Sequence, residues 1–205
     1  MNLLLRVLSA VVLLPGILLV LYVGSWPLVL VLSLVTGLCY YEYAVMTETT
    51  LSRLLGFSYI TCGLLSLFLL RQQAGFEWGL LILIATWSND TFAYFSGKAL
   101  GRHPLCPSIS AKKTWEGFFG GALGTLLMPF LLKNFLSNLS TADILWVCLP
   151  CMILAPAGDL LESKIKRLYG VKDSGNLLPG HGGFLDRIDA LLLTAPWALL
   201  YFMVR

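Results

Sequence analysis

Apolar residues run in long stretches along this chain, at about 4–23, 28–46, 54–70, 78–97, 116–132, 143–161 and 187–204, separated by short segments rich in glycine, proline and charge. Each stretch approaches the roughly 20 residues that a helix needs to cross a bilayer. The pattern predicts an all-α fold: a polytopic integral membrane helical bundle of about seven transmembrane helices. Gly63 interrupts the third stretch, and the fourth carries Ser88, Asn89 and Asp90. The opening run from Met1 to Gly24 exceeds the roughly 7–15 apolar residues of a signal peptide, and no clear A-x-A cleavage site follows it. It is expected to be a retained first span.

Composition agrees. Of 205 residues, 58% are hydrophobic and 12% charged, with a mean hydropathy of +0.81. Soluble domains carry about 25% charged residues, so an ordinary soluble enzyme is excluded, as is a disordered chain. With no internal repeat or soluble appendage, residues 1–205 are expected to form a single transmembrane domain. Five cysteines are present, and the CxxC of Cys148 and Cys151 lies in an apolar run beside Pro150. These two read as buried small hydrophobes.

Placement of charge sets an orientation. With the N-terminus in the cytoplasm, eleven of the 14 Lys and Arg residues fall inside, namely Arg6, Arg53, Lys98, Arg102, Lys112, Lys113, Lys164, Lys166, Arg167, Lys172 and Arg187. Arg71, Lys133 and Arg205 fall outside. Such a positive-inside bias predicts a cytoplasmic N-terminus. The long loops, 98–115 and 162–186, then both lie on the inner side, where long loops carry function.

A charge within a span costs at least about 2.5–3.5 kcal/mol, so ionisable residues at that depth are functional candidates. They are Glu42, Asp90, Glu116, Asp159, Glu162, Asp186 and Asp189. On a helix ending near Arg167, the residues Asp159, Ser163, Lys166 and Arg167 share one face. Asp186 and Asp189, spaced i, i+3, share another. These acids either ligate Mg²⁺ together with substrate phosphates or pair with Lys166, Arg167 and Arg187 as salt bridges. Between the two helices, Gly180, Gly182 and Gly183 allow close backbone approach to a phosphate, and His181 either contacts substrate or shapes the loop. Ser110, Lys112, Lys113 and Thr114 precede another helix N-terminus, suited to anionic headgroups or to a polyphosphate. Asp90 and Tyr94 form a stripe that either lines the same cavity or joins helices.

Gly158-Asp159-Leu160-Leu161-Glu162-Ser163-Lys164-Ile165-Lys166-Arg167, continued by Lys172-Asp173-Ser174-Gly175 and Leu178-Pro179-Gly180-His181-Gly182-Gly183-Phe184-Leu185-Asp186-Arg187-Ile188-Asp189, closely resembles the signature of phosphatidate cytidylyltransferases, the CDP-diacylglycerol synthases. Asn89 to Tyr94 and Ser110 to Gly117 look like further family elements, with Ala111 where the family commonly has proline. The resemblance covers roughly 86–190, making 1–85 a set of N-terminal helices and 86–190 the catalytic region.

That resemblance implies transfer of a cytidylyl group from CTP to phosphatidic acid, giving CDP-diacylglycerol and pyrophosphate in phospholipid biosynthesis. Mg²⁺ is the expected cofactor, with a second cation left open. Expected metal ligands are Asp159, Asp186 and Asp189, and the expected catalytic residues are Asp159, Lys166, Arg167, Asp186 and Arg187. Expected substrate contacts are Asp90, Ser110, Lys112, Lys113, Thr114, Ser163, Lys172, Asp173, His181, Gly182 and Gly183. The partners are CTP, phosphatidic acid and membrane lipids, without nucleic acid, and a homodimer is compatible with the family. The expected location is the bacterial inner membrane with the active site facing the cytoplasm. Two alternatives stand beside this reading: a CTP-dependent transferase acting on an isoprenoid lipid, and an ion-coupled transporter. The absence of repeats and of midplane charge disfavours the transporter.

Overall fold

The computed structural model describes residues 14–175, 177 and 182–205. Arg6, the start of the first apolar stretch and His181 lie outside the described residues. The helices are α1 (Leu14–Val23), α2 (Ser25–Met46), α3 (Thr50–Ala74), α4 (Phe76–Leu100), α5 (Trp115–Leu131), α6 (Thr141–Leu168), the single turn α7 (Leu185–Ile188) and α8 (Leu191–Val204). Three of them, α2, α3 and α6, are long and apolar enough to cross a membrane. The protein is an all-α membrane protein.

Local chemistry places the boundaries. Gly24 at φ 66° and Gly75 at φ 100° separate α1 from α2 and α3 from α4 by one residue each, using backbone that L side chains avoid. Thr49 caps α3 by accepting the Ser52 N–H at 3.2 Å. Ser140 and Asp143 close a reciprocal capping box at the start of α6. That helix continues to Leu168, past the predicted end of its span, so the following loop is shorter than expected.

The buried core joins Ile60, Leu64 and Leu67 of α3 to Leu81 and Ile82 of α4, Val147 and Cys151 of α6, and Leu192 and Ala195 of α8. Cys148 and Cys151 are buried free thiols, as expected of small hydrophobes, and Cys39 is buried as well. Helix α5 packs against α4 through a stripe of glycines. A Cβ at Gly120 would lie 2.0 Å from Ser96 Oγ, at Gly124 2.6 Å from Phe92 Cγ, and at Gly121 2.9 Å from the Asn89 carbonyl oxygen. Small residues bring membrane helices close when hydrophobic burial offers little driving force. Here they also allow Asn89 Nδ2 to donate to Thr125 Oγ1 at 2.9 Å.

One element was not expected from the sequence. Within 98–115, β1 (Pro104–Cys106) and β2 (Ser110–Thr114) form an antiparallel hairpin, pairing Pro104 with Thr114 and Cys106 with Ser110. Glu116, in the first turn of α5, accepts the Arg102 and His103 N–H groups at 3.2 and 3.3 Å and meets His103 Nδ1 at 2.6 Å. The hairpin root is thereby fixed to the helix that follows it.

Candidate active site

A cavity of about 600 Å³ opens between α4, the hairpin, α5, α6 and the α7 turn. Among the residues expected at a site, Asp90, Ser110, Lys112, Lys113, Thr114, Asp159, Lys166, Asp186, Arg187 and Asp189 line it. The stripe on α4 therefore faces this cavity, with Lys98 Nζ 5.7 Å from the Tyr94 ring centroid. The hairpin delivers its lysines because Thr114, at the end of β2, caps α5 by accepting the Gly117 N–H at 3.1 Å. Lys113 then forms an ion pair with Asp159, across from β2 to α6.

The face of α6 divides its work. Ser163 donates to Asp159 at 3.3 Å, an i, i+4 contact. Lys166 instead serves Glu162, one turn before it, at 2.9 Å, and reaches Asp186 at 2.5 Å. Arg167 turns away: it donates to the carbonyls of Ile109 at 3.4 Å and Val171 at 2.9 Å, tying the hairpin to the end of α6. It holds a cavity wall in place and does not line the cavity.

The two aspartates after the loop also diverge. Asp186 accepts from Lys166 and from the N–H groups of Ser174 and Gly183, at 3.1 and 3.0 Å. Burial pushes its carboxyl pKa up, but the Lys166 ammonium and the Gly183 N–H outweigh this and hold it below the ordinary value. Asp189 follows α7 with its backbone still helical, and it lines the same cavity with different partners. Its carboxylate, with those of Asp159 and Glu162, forms a group whose oxygens lie within 4.8 Å of one another. Asp186, expected as a metal ligand, stands outside this group in an ion pair, and Glu162 takes the place beside Asp159 and Asp189.

The donor set suits a hard divalent cation, which takes carboxylate oxygens. Glu162 Oε1 is buried without a hydrogen-bond partner among the described residues, and an orphaned buried carboxylate oxygen costs free energy unless something meets it. Gly158 makes the group possible. A Cβ there would lie 2.5 Å from the Asp189 carbonyl oxygen, so only glycine lets the turn approach α6 this closely.

Other expected residues lie at the margin. Gly182, at φ 81°, and Gly183 sit against Asp186 and Ser174, supporting the turn. Lys172 and Asp173 are exposed on the turn after α6 and do not line the cavity. Glu162 and Glu42 stand in the sequence as charges at membrane depth with no particular role expected of either. The i, i+4 spacing of Glu162 and Lys166 was the signal available for the first.

The fold is that of a helical membrane protein with its charges gathered at one cavity. The cytidylyltransferase family matches residues 47–205. A phosphatidate cytidylyltransferase of Staphylococcus epidermidis is 36% identical over 185 residues, covering 84% of this chain and 70% of the relative. Its counterpart in Staphylococcus aureus is 35% identical over 187 residues, covering 85% and 70%. That of Thermotoga maritima is 42% identical over 147 residues, covering 68% and 54%. The chain belongs to the cytidylyltransferase family and is a nucleotidyltransferase.

Proposed function

We propose that the protein transfers a cytidylyl group from CTP to phosphatidic acid, releasing pyrophosphate and forming CDP-diacylglycerol, at the cavity between α4, the hairpin, α5, α6 and α7. The observation that carries this reading is the meeting of Lys112, Lys113, Lys166 and Arg187 with the Asp159, Glu162 and Asp189 carboxylates in one cavity. Residues 86–190 supply these groups, and the helices of 1–85 support them.

In this reading the cations of the cavity bind the triphosphate and stabilise charge as pyrophosphate leaves. Lys112 and Lys113 lie on the hairpin, suited to the β and γ phosphates, while the buried Lys166 and the more exposed Arg187 are suited to the α phosphate. A phosphate oxygen of the lipid attacks the α phosphorus and the bond to the bridging oxygen of pyrophosphate breaks. No protein nucleophile is needed, since the attacking oxygen is already ionised. Mg²⁺ fits the Asp159, Glu162 and Asp189 oxygens, and when bound it neutralises phosphate charge. Asp186 orients Lys166, and Ser163 orients Asp159. Asp90, Ser110 and Thr114 offer the polar contacts for the rest of the nucleotide or headgroup.

The positive-inside arrangement supports a cavity at the cytoplasmic face of a bacterial inner membrane, where CTP arrives from water and the lipid from the leaflet. At the other end of α6, Asp143 pairs with Arg205 at 2.5 Å, and Glu77 accepts from the Asn138 N–H at 2.7 Å. The acceptor is tested by offering purified protein CTP and Mg²⁺ with phosphatidic acid or with a polyprenyl phosphate. Label in CDP-diacylglycerol supports the proposal, and label only with the prenyl phosphate overturns the assigned acceptor.

A further inference from the structure

We propose that Glu42, on α2 and just before the stretch matched by the family, is a positioning residue that sets the α7 turn and through it Asp186 and Arg187. The proposal rests on the cytidylyl-transfer reading of the cavity. Glu42 is only 2% exposed, and a buried carboxylate is costly unless it is well hydrogen-bonded. Its partners all belong to the two ends of one distant loop. Ser174 Oγ donates to Oε2 at 3.2 Å, the Phe184 N–H to Oε1 at 3.0 Å and the Leu185 N–H to Oε2 at 3.0 Å.

Three successive amides are thus shared between two carboxylates. Gly183 N–H goes to Asp186, and Phe184 and Leu185 N–H go to Glu42. Ser174 bridges the same pair, its N–H on Asp186 and its hydroxyl on Glu42. The backbone closes tightly around the Glu42 carboxylate, since a Cβ on Gly175 or Gly183 would lie 2.6 Å from one of its oxygens. The first amides of a helix need acceptors, and for α7 a carboxylate from another helix supplies them. Glu42 therefore fixes where α7 begins, and with it the direction in which Asp186 meets Lys166 and Arg187 enters the cavity. A displacement near 1 Å at a positioned group costs about 10²-fold in rate.

Glu42→Gln tests this, because it keeps the side chain's size but presents an NH₂ where an acceptor stood. The experiment compares the purified full-length wild type and variant by amide hydrogen exchange and by steady-state transfer kinetics. The expected result is exchange of the Phe184 and Leu185 amides at least tenfold faster, with α3 and α4 unchanged. Transfer kcat falls by about 10–10²-fold while KM for CTP stays within about twofold, since the hairpin lysines that bind the triphosphate are not moved. Should Glu42→Gln fail to fold, Ser174→Ala, which removes one donor and leaves the carboxylate in place, is expected to show the same pattern at smaller size. Unchanged exchange at these amides, or accelerated exchange with wild-type kcat, overturns the proposal. A wild type that transfers no cytidylyl group overturns the reading of the activity instead, and the exchange result then stands by itself.

Discussion

Lys166 Nζ lies 2.5 Å from Asp186 Oδ1, joining α6 to the α7 turn across the intervening loop, with Glu162 Oε2 a further acceptor at 2.9 Å. All three side chains are nearly buried, with exposures of 10%, 11% and 6% for Lys166, Asp186 and Glu162. Removing one partner of a buried ion pair leaves an uncompensated charge, at a cost of about 3–5 kcal/mol. Lys166→Met is therefore expected to lower the thermal midpoint of the detergent-solubilised protein and to abolish transfer. An unchanged midpoint by calorimetry would show that the carboxylates find other partners.

Gly158→Ala places a methyl group where the Asp189 carbonyl now approaches α6. Overpacking of this kind costs about 1–3 kcal/mol. The Asp189 carboxylate is expected to move away from Asp159 and Glu162. The Mg²⁺ concentration for half-maximal transfer should rise at least tenfold, and wild-type Mg²⁺ dependence in this variant would refute the role given to the close approach.

A cation that binds only the folded protein raises its stability by mass action. Mg²⁺ is expected to raise the thermal midpoint of the wild type and to leave those of Asp159→Asn and Asp189→Asn unchanged. Chelation should remove both this shift and the activity. An equal shift in all three proteins would place the cation elsewhere.

Asp186 has a pKa below its ordinary value in the folded protein. Its ionised form is the one folding favours, so its contribution to stability is complete above the unfolded value of about 3.9 and is lost as pH falls through the folded value. The midpoint difference between wild type and Asp186→Asn should be constant from about pH 5 to 8 and shrink below about pH 4. A difference that grows on acidification would contradict the pairing with Lys166.

Much of the site was legible because charge is rare in this chain. Asp159, Asp186 and Asp189 stood out as costly residues at helix ends, with Lys166 on the face of Asp159, and the cavity brings all four together. Helical spacing gave the Ser163 contact with Asp159 correctly. The i, i+4 spacing of Glu162 and Lys166 signalled that pair as well, but nothing local showed that Asp186 would arrive to share the lysine. Asp186 and Asp189 were expected on one face, and both line the cavity, but spacing did not show that one would pair with Lys166 and the other would join Asp159 and Glu162. The hairpin was missed for a similar reason. Ser110-Ile109 and Lys112-Lys113 show no alternation that would mark a half-buried strand, and the hairpin is fixed by Glu116 and Arg167 from outside it. Glu42 was legible as a buried charge, but its partners lie more than 130 residues away, beyond the reach of any local pattern.

Following the phosphorus atoms of CTP is the decisive measurement of cytidylyl transfer. Purified protein is given phosphatidic acid and Mg²⁺ with CTP labelled at either the α or the γ phosphate. The α label is expected to enter an organic-soluble lipid and the γ label to leave as pyrophosphate in equal amount, both stopping in Asp159→Asn. Label from γ in the lipid, or no lipid label from folded protein, would contradict it.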